Sequence, residues 1–98
     1  MHAEPALPHL RALVAGKDSM LASKAAYAAS MLKGAAGEEV VRTAAQSPDP
    51  VVRVAAAAAA QNLPSRSASE VLAGLVADED PGIRKVARAS AAHGGRAR

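Results

Sequence analysis

Three aspartates, Asp18, Asp49 and Asp80, stand 31 residues apart, and that spacing constrains the fold more than any other feature of this chain. In the same register Leu10, Val41 and Leu72 coincide, as do Leu13, Ala44 and Leu75, and Val14, Ala45 and Val76. Beyond the aspartates, Leu21, Val52 and Ile83 align, then Ala25, Ala56 and Ala87, then Ala29, Ala60 and Ala91. Leu32 and Leu63 share a column whose third place falls to Gly94. Apolar columns kept over three copies without a gap, with an acidic column among them, mark an internal repeat.

Each unit reads as two helices. The first carries apolar residues at spacings of three and four, as in Leu10, Leu13 and Val14 or Leu72, Leu75 and Val76. The second begins at the aspartate, whose carboxylate can accept from free backbone amides and complements the positive helix end. Pro50 and Pro81 follow two of the three aspartates, in the first turn where a missing amide costs nothing. Helices are expected over about 6–15, 19–32, 38–46, 50–62, 67–77 and 81–92. The loops between them, 16–17, 33–37, 47–48, 64–66 and 78–79, are short enough to join antiparallel neighbours. Gly34 and Gly37 are expected to bracket one of these turns.

The hydrophobic half of the chain suits such an arrangement. Of its 49 hydrophobic residues 27 are Ala, which has the highest helix propensity and permits close helix approach. Leu, Ile and Val supply only 18 residues, so a lone helix pair could not bury its stripe; three stacked pairs could. One domain is expected over 1–93, with repeats at about 5–33, 36–64 and 67–93 and a basic tail at 94–98.

The segments Ser-Pro-Asp-Pro-Val-Val-Arg-Val-Ala-Ala (47–56) and Asp-Glu-Asp-Pro-Gly-Ile-Arg-Lys-Val-Ala (78–87) resemble the second helix of HEAT repeats. They are most similar to the short HEAT-like type named after phycobilin lyases. Ala-Leu-Pro-His-Leu (6–10) resembles the opening of that family's first helix. The resemblance covers residues 5 to 93 and implies an all-α fold, an α-solenoid of three stacked antiparallel helix pairs. First helices would line the convex face and second helices the concave one. It further implies that Asp49, Asp80, Arg53 and Arg84 form a ladder joining neighbouring repeats, with Asp18 as the cap of the first. Ala22 stands where the others have Arg53 and Arg84, so the rung nearest the N-terminus is in question. No lyase activity is carried over.

Composition excludes several chemistries. The absence of Cys removes disulfides, thiolate metal sites and thiol nucleophiles. A single aromatic, Tyr27, leaves no platform for stacking bases. His2, His9 and His93 have no ligand spacing on any one helix and read as surface histidines. The acids Asp78, Glu79 and Asp80, like Glu38 and Glu39, lie at helix starts and read as caps rather than as acid–base groups. Neither a cofactor nor a metal is expected, and no catalytic residues are assigned. The start of the chain lacks the charged lead and apolar core of a signal peptide, and no apolar run reaches membrane-span length, so a cytoplasmic protein is expected.

Two surfaces remain as candidates. In the family resembled, three positions of each second helix face outward and are usually polar. Here they are Met20, Ser23 and Tyr27, then Val51, Val54 and Ala58, then Gly82, Lys85 and Ala89. Met31 extends the first set by a turn. Exposed apolar residues on one face mark interaction sites, so Met20, Tyr27, Met31, Val51 and Val54 are expected to bind a peptide or helix of a protein partner. Lys85 would be the rim charge, and self-association through this face or end to end is included. The alternative is a contact with nucleic acid or an acidic partner through Arg84, Lys85, Arg88, Arg96 and Arg98. Residues 81–98 hold five basic groups and no acid, against seven basic and nine acidic before them. An accessory subunit of an enzyme complex fits the same features as the first reading.

Overall fold

The computed structural model describes residues 6–93, in which every regular element is a helix and none is a strand. Helix α1 spans Ala6–Ala15, α2 Ser19–Ser30, α3 Ala35–Ala45, α4 Pro50–Ala59, α5 Ser65–Leu75 and α6 Pro81–His93; a 3-10 turn, Ala60–Asn62, extends α4. Among the described residues no helix is long and apolar enough to cross a membrane. Each odd-numbered helix packs against the even-numbered one that follows it. In addition α1 neighbours α3 and α3 neighbours α5, while α2 neighbours α4 and α4 neighbours α6. The molecule is only 15 Å deep along its shortest axis, the depth expected for two layers of helices about 8–10 Å apart.

The even-numbered helices start where a side chain can replace a missing carbonyl. Asp18 accepts from the Leu21 amide at 3.0 Å, Asp49 from Val51 at 2.9 Å, and Asp80 from Gly82 at 2.8 Å. Each offsets one of the free amides of a first turn, a contribution of about 1 kcal/mol. Several boundaries differ from those read along the sequence. Helix α2 stops at Ser30, and α3 begins at Ala35 rather than 38 because Gly34, at φ 104°, reverses the chain just ahead of it. Gly37 therefore lies inside α3 instead of closing the turn. A Cβ built on it would stand 2.7 Å from the Ala29 carbonyl oxygen, so α3 meets the end of α2 closely enough to exclude any side chain. Helix α5 starts two residues earlier than expected and ends two earlier, at Leu75.

Alanine dominates the contacts between helices. Ala25, Ala26, Ala29, Ala56, Ala57, Ala59, Ala60 and Ala87 are all buried, and Val40, Val41, Val52, Leu63, Val71, Leu72, Leu75 and Ile83 fill the space between them. Three buried serines are satisfied. Ser30 Oγ donates to the Tyr27 carbonyl at 2.6 Å and accepts from Asn62 at 3.0 Å. Ser90 Oγ donates to the Ala57 carbonyl at 2.6 Å, and Ser67 Oγ donates to Glu38. Those bonds join α2 to the end of α4, α6 to α4, and α5 to α3, so the polar atoms specify which helices meet.

Two columns depart from the core expected of them. Leu21 is 46% exposed although Val52 and Ile83 are each only 2% exposed, and Ala91 is exposed although Ala29 and Ala60 are buried. Leu21 lies on the side of α2 turned away from α4, where no further helix of the described chain packs. Ala91 lines an open hollow with Ser65, Ala68 and Leu72 of α5.

The arginine–aspartate ladder also takes a different form. Arg53 Nε donates to Asp78 at 2.9 Å rather than to Asp80, and its Nη1 holds the Ser47 and Pro48 carbonyls at 3.0 and 3.1 Å. Arg84 repeats the second half of this pattern on the Asp78 and Glu79 carbonyls, at 2.7 and 3.2 Å. Asp80 is occupied with the first turn of α6, which leaves Asp78 as the acid that reaches back to α4. Between the first two pairs the connection is made without arginine: the Ser19 hydroxyl donates to Asp49.

These contacts set an acid limit on stability. The Ser19 hydroxyl, then the Val51 amide, hold the Asp49 carboxyl below the ordinary value of 3.8. The Asp80 amide, then Arg53, do the same for Asp78. Both groups therefore bind protons less readily in the folded chain than in the unfolded one. The stability they contribute is complete above that ordinary value and is lost as pH falls through the depressed folded values. Urea midpoints should fall more steeply below pH 3.8 in the parent than in Asp78→Asn. Superimposable profiles for the two proteins would exclude Asp78 as a source of the acid limit.

Candidate protein-interaction surface

The even-numbered helices run beside one another, and their residues not committed to the core make one surface. Met20 is 65% exposed there, and Tyr27 and Val51 are each 49% exposed. All three side chains carry substantial apolar area that the fold leaves in water. Val54 is half-buried against the core, and Lys85 and Gly82 are exposed on α6. Between α4 and α6 the surface deepens into an open groove of about 710 Å³, lined by Pro50, Val51, Val54, Gly82, Lys85 and Ala89 among others. The small residues of α6 create the depression: Gly82 and Ala89 stand low where α4 raises Val51 and Val54.

Exposed apolar side chains and Lys85 face solvent on this surface. Its described residues include no nucleophile paired with a base. Elsewhere, too, no group of three or more histidine, aspartate or glutamate side chains among the described residues could hold a metal ion. His9 is exposed on α1. A second hollow of about 500 Å³ lies where the loops meet, around Arg53, Asp78, Glu70 and Glu79. Its central charges are already paired: Arg53 with Asp78 at 2.9 Å, and Glu70 with Arg42 at 3.0 Å. The latter pair is exposed and contributes at most about 1 kcal/mol.

Met31 is 65% exposed but belongs to a different row from Met20 and Tyr27. It lies 31 residues before Asn62, and Asn62 is the residue with which the end of α4 grips Ser30. The side of α4 on which Asn62 stands meets α2; on α2 the corresponding side, where Met31 lies, is turned away from α4. Leu21, Lys24 and Ala28 fall on that side as well, at helical spacings of three and four, and all are exposed. Reading along the sequence missed this row because its apolar column was taken for core.

The basic residues of α6 are largely engaged. Arg84 is held by the two loop carbonyls described above, and Arg88 Nη2 donates to the Val76 carbonyl at 3.3 Å. Among the described residues Lys85 has no such partner. Arg96 and Arg98 lie outside the described residues. Three polar clamps on carbonyl oxygens use guanidinium donors that phosphate binding would otherwise need.

No family of proteins, no curated protein and no solved structure matches this chain.

Proposed function

We propose that the chain is a short HEAT-like α-solenoid, three helix pairs repeating every 31 residues, that acts as a non-enzymatic interaction module. The odd-numbered helices form its convex layer and the even-numbered helices its concave one. The partner is a protein segment, a peptide or a helix, that lies across α2, α4 and α6. The pairing of helices supports this reading: α1, α3 and α5 are successive neighbours, and so are α2, α4 and α6.

The observation that carries the binding role is the exposure of Met20, Tyr27 and Val51 on one side of the even-numbered helices, beside the groove between α4 and α6. Exposed apolar area of this kind on a concave surface gains free energy when a partner removes it from water, at about 25 cal/mol per Å². Methionine adapts its shape to a partner, and tyrosine adds a large face with a polar end. Lys85 at the edge favours a segment with a carboxylate near that end of the groove.

A photo-reactive phenylalanine analogue placed at position 27 or 51 tests the reading directly in cells of the native host. Discrete covalent adducts to one protein should form from those positions and not from Glu39 or Ser69 on α3 and α5. The adducts should weaken when Tyr27→Ala is combined with Val51→Asp. Equal labelling from both layers would reject the concave surface as the binding site.

A further inference from the structure

The side of α2 turned away from α4 carries a second site. Within the chain the same side of the later even-numbered helices is always covered. Val52 and Ala59 on α4 and Ile83 and Ser90 on α6 are buried; in the same rows Asn62 bonds Ser30 of α2, and Ser90 bonds Ala57 of α4. Thirty-one residues before Val52 and Ala59 stand Leu21 and Ala28, which are exposed, with Lys24 and Met31 in the same row. The chain also displays what covers such a row. On α2 the covering residues are Ser19, Ser23, Ala26 and Ser30, with Ser19 donating to Asp49, Ser23 to the Val51 carbonyl and Ser30 accepting from Asn62. On α4 the same spacing is occupied by Pro50, Val54, Ala57 and Gln61, where Ala57 and Gln61 bond Ser90.

We infer that Leu21, Lys24, Ala28 and Met31 are the docking site for a helix of a partner protein. That helix presents small residues at spacings of i, i+4, i+7 and i+11 and a carboxylate beside Lys24. Lys24 determines the charge of the occupant. Among the described residues it forms no ion pair, and it stands midway along an otherwise apolar row, where a covering helix would bring a second side chain against it. A second copy of this chain does not meet the requirement. The row that α6 would offer, at the same offsets, is Pro81, Lys85, Arg88 and Ala92, which sets two cations against Lys24. Like charges in a closing interface oppose association.

The inference rests on the repeat reading but not on the concave groove, and one titration separates the two. The probe is a synthetic peptide with the sequence of residues 18–32 carrying Ser23→Glu and Lys24→Ala, added to the full ¹⁵N-labelled chain. Amide shifts should concentrate at 21–31 on α2 and saturate below about 1 mM. The same peptide with Ser23→Lys should bind about tenfold more weakly, a difference of about 1.4 kcal/mol. Lys24→Glu in the protein should reverse that preference. Shifts confined to Val51, Gly82 and Lys85 would assign the peptide to the groove and overturn this site while leaving the groove reading intact. No shifts at about 1 mM, or a preference that Lys24→Glu leaves unchanged, would also overturn it. Light scattering that showed head-to-tail association of the chain alone through this row would replace the partner helix with a second copy.

Discussion

Ile83→Ala should remove about 2–5 kcal/mol of stability, while Leu21→Ala, in the same column, should change it by no more than about 0.5 kcal/mol. Ile83 is buried within the core cluster, so its truncation leaves a cavity in a core built largely of alanine. Leu21 has water over nearly half of its surface, and alanine is the better helix former. For a domain of about 100 residues each kcal/mol corresponds to roughly 4–8 °C in Tm, so calorimetry resolves the two cases easily. Total stability of such domains is about 5–15 kcal/mol, which puts Ile83→Ala near the limit of folding. Equal losses from both substitutions would mean that Leu21 is covered in solution.

Gly37→Ala should destabilise by about 1–3 kcal/mol, the usual consequence of forcing atoms into a filled contact. Its Cβ would stand 2.7 Å from the Ala29 carbonyl oxygen and 3.3 Å from Leu32 Cβ, and the nearer of these is backbone that cannot swing aside. Gly74→Ala provides the control. Gly74 is also helical, in α5, but nothing lies within 4 Å of an added Cβ. Alanine there should stabilise by about 0.5–1 kcal/mol through helix propensity. The two glycine substitutions should thus shift Tm in opposite directions. A rise in Tm for Gly37→Ala would show that α2 and α3 do not approach as closely as described.

The contrast between these glycines explains why helix starts were legible in the sequence and helix contacts were not. An aspartate that caps a helix acts on amides two or three residues away, so Asp18, Asp49 and Asp80 announce α2, α4 and α6 locally. Gly37 looks like a turn residue next to Gly34, and only Gly34 has the positive φ that a turn of this kind requires. The need for glycine at 37 comes from Ala29, on another helix. Arg53 presents the same difficulty. The family resemblance implied a rung through the capping aspartates, yet Asp80 is taken up by its own helix and the guanidinium pairs with Asp78. One clue was present: Asp78 stands where the preceding loop has Ser47, and a carboxylate can serve the turn and an arginine at once.

The candidate surface divides in the same way. The family resemblance implied the outward positions, and Met20, Tyr27 and Val51 are indeed exposed. Val54, in the same series, is half-buried against the core, and Met31, though exposed, stands in a different row from Met20 and Tyr27.

By itself the sequence determined the helical character of the chain, the places where the even-numbered helices begin, and the reliance on alanine where helices meet. Capping and helix propensity act within a turn or two of the backbone, and so they can be read locally. Only the tertiary structure decided which copy of a repeated column is covered. Burial belongs to a residue and its neighbour together, and Leu21 sits in the one copy of its column that no earlier helix of the described chain covers.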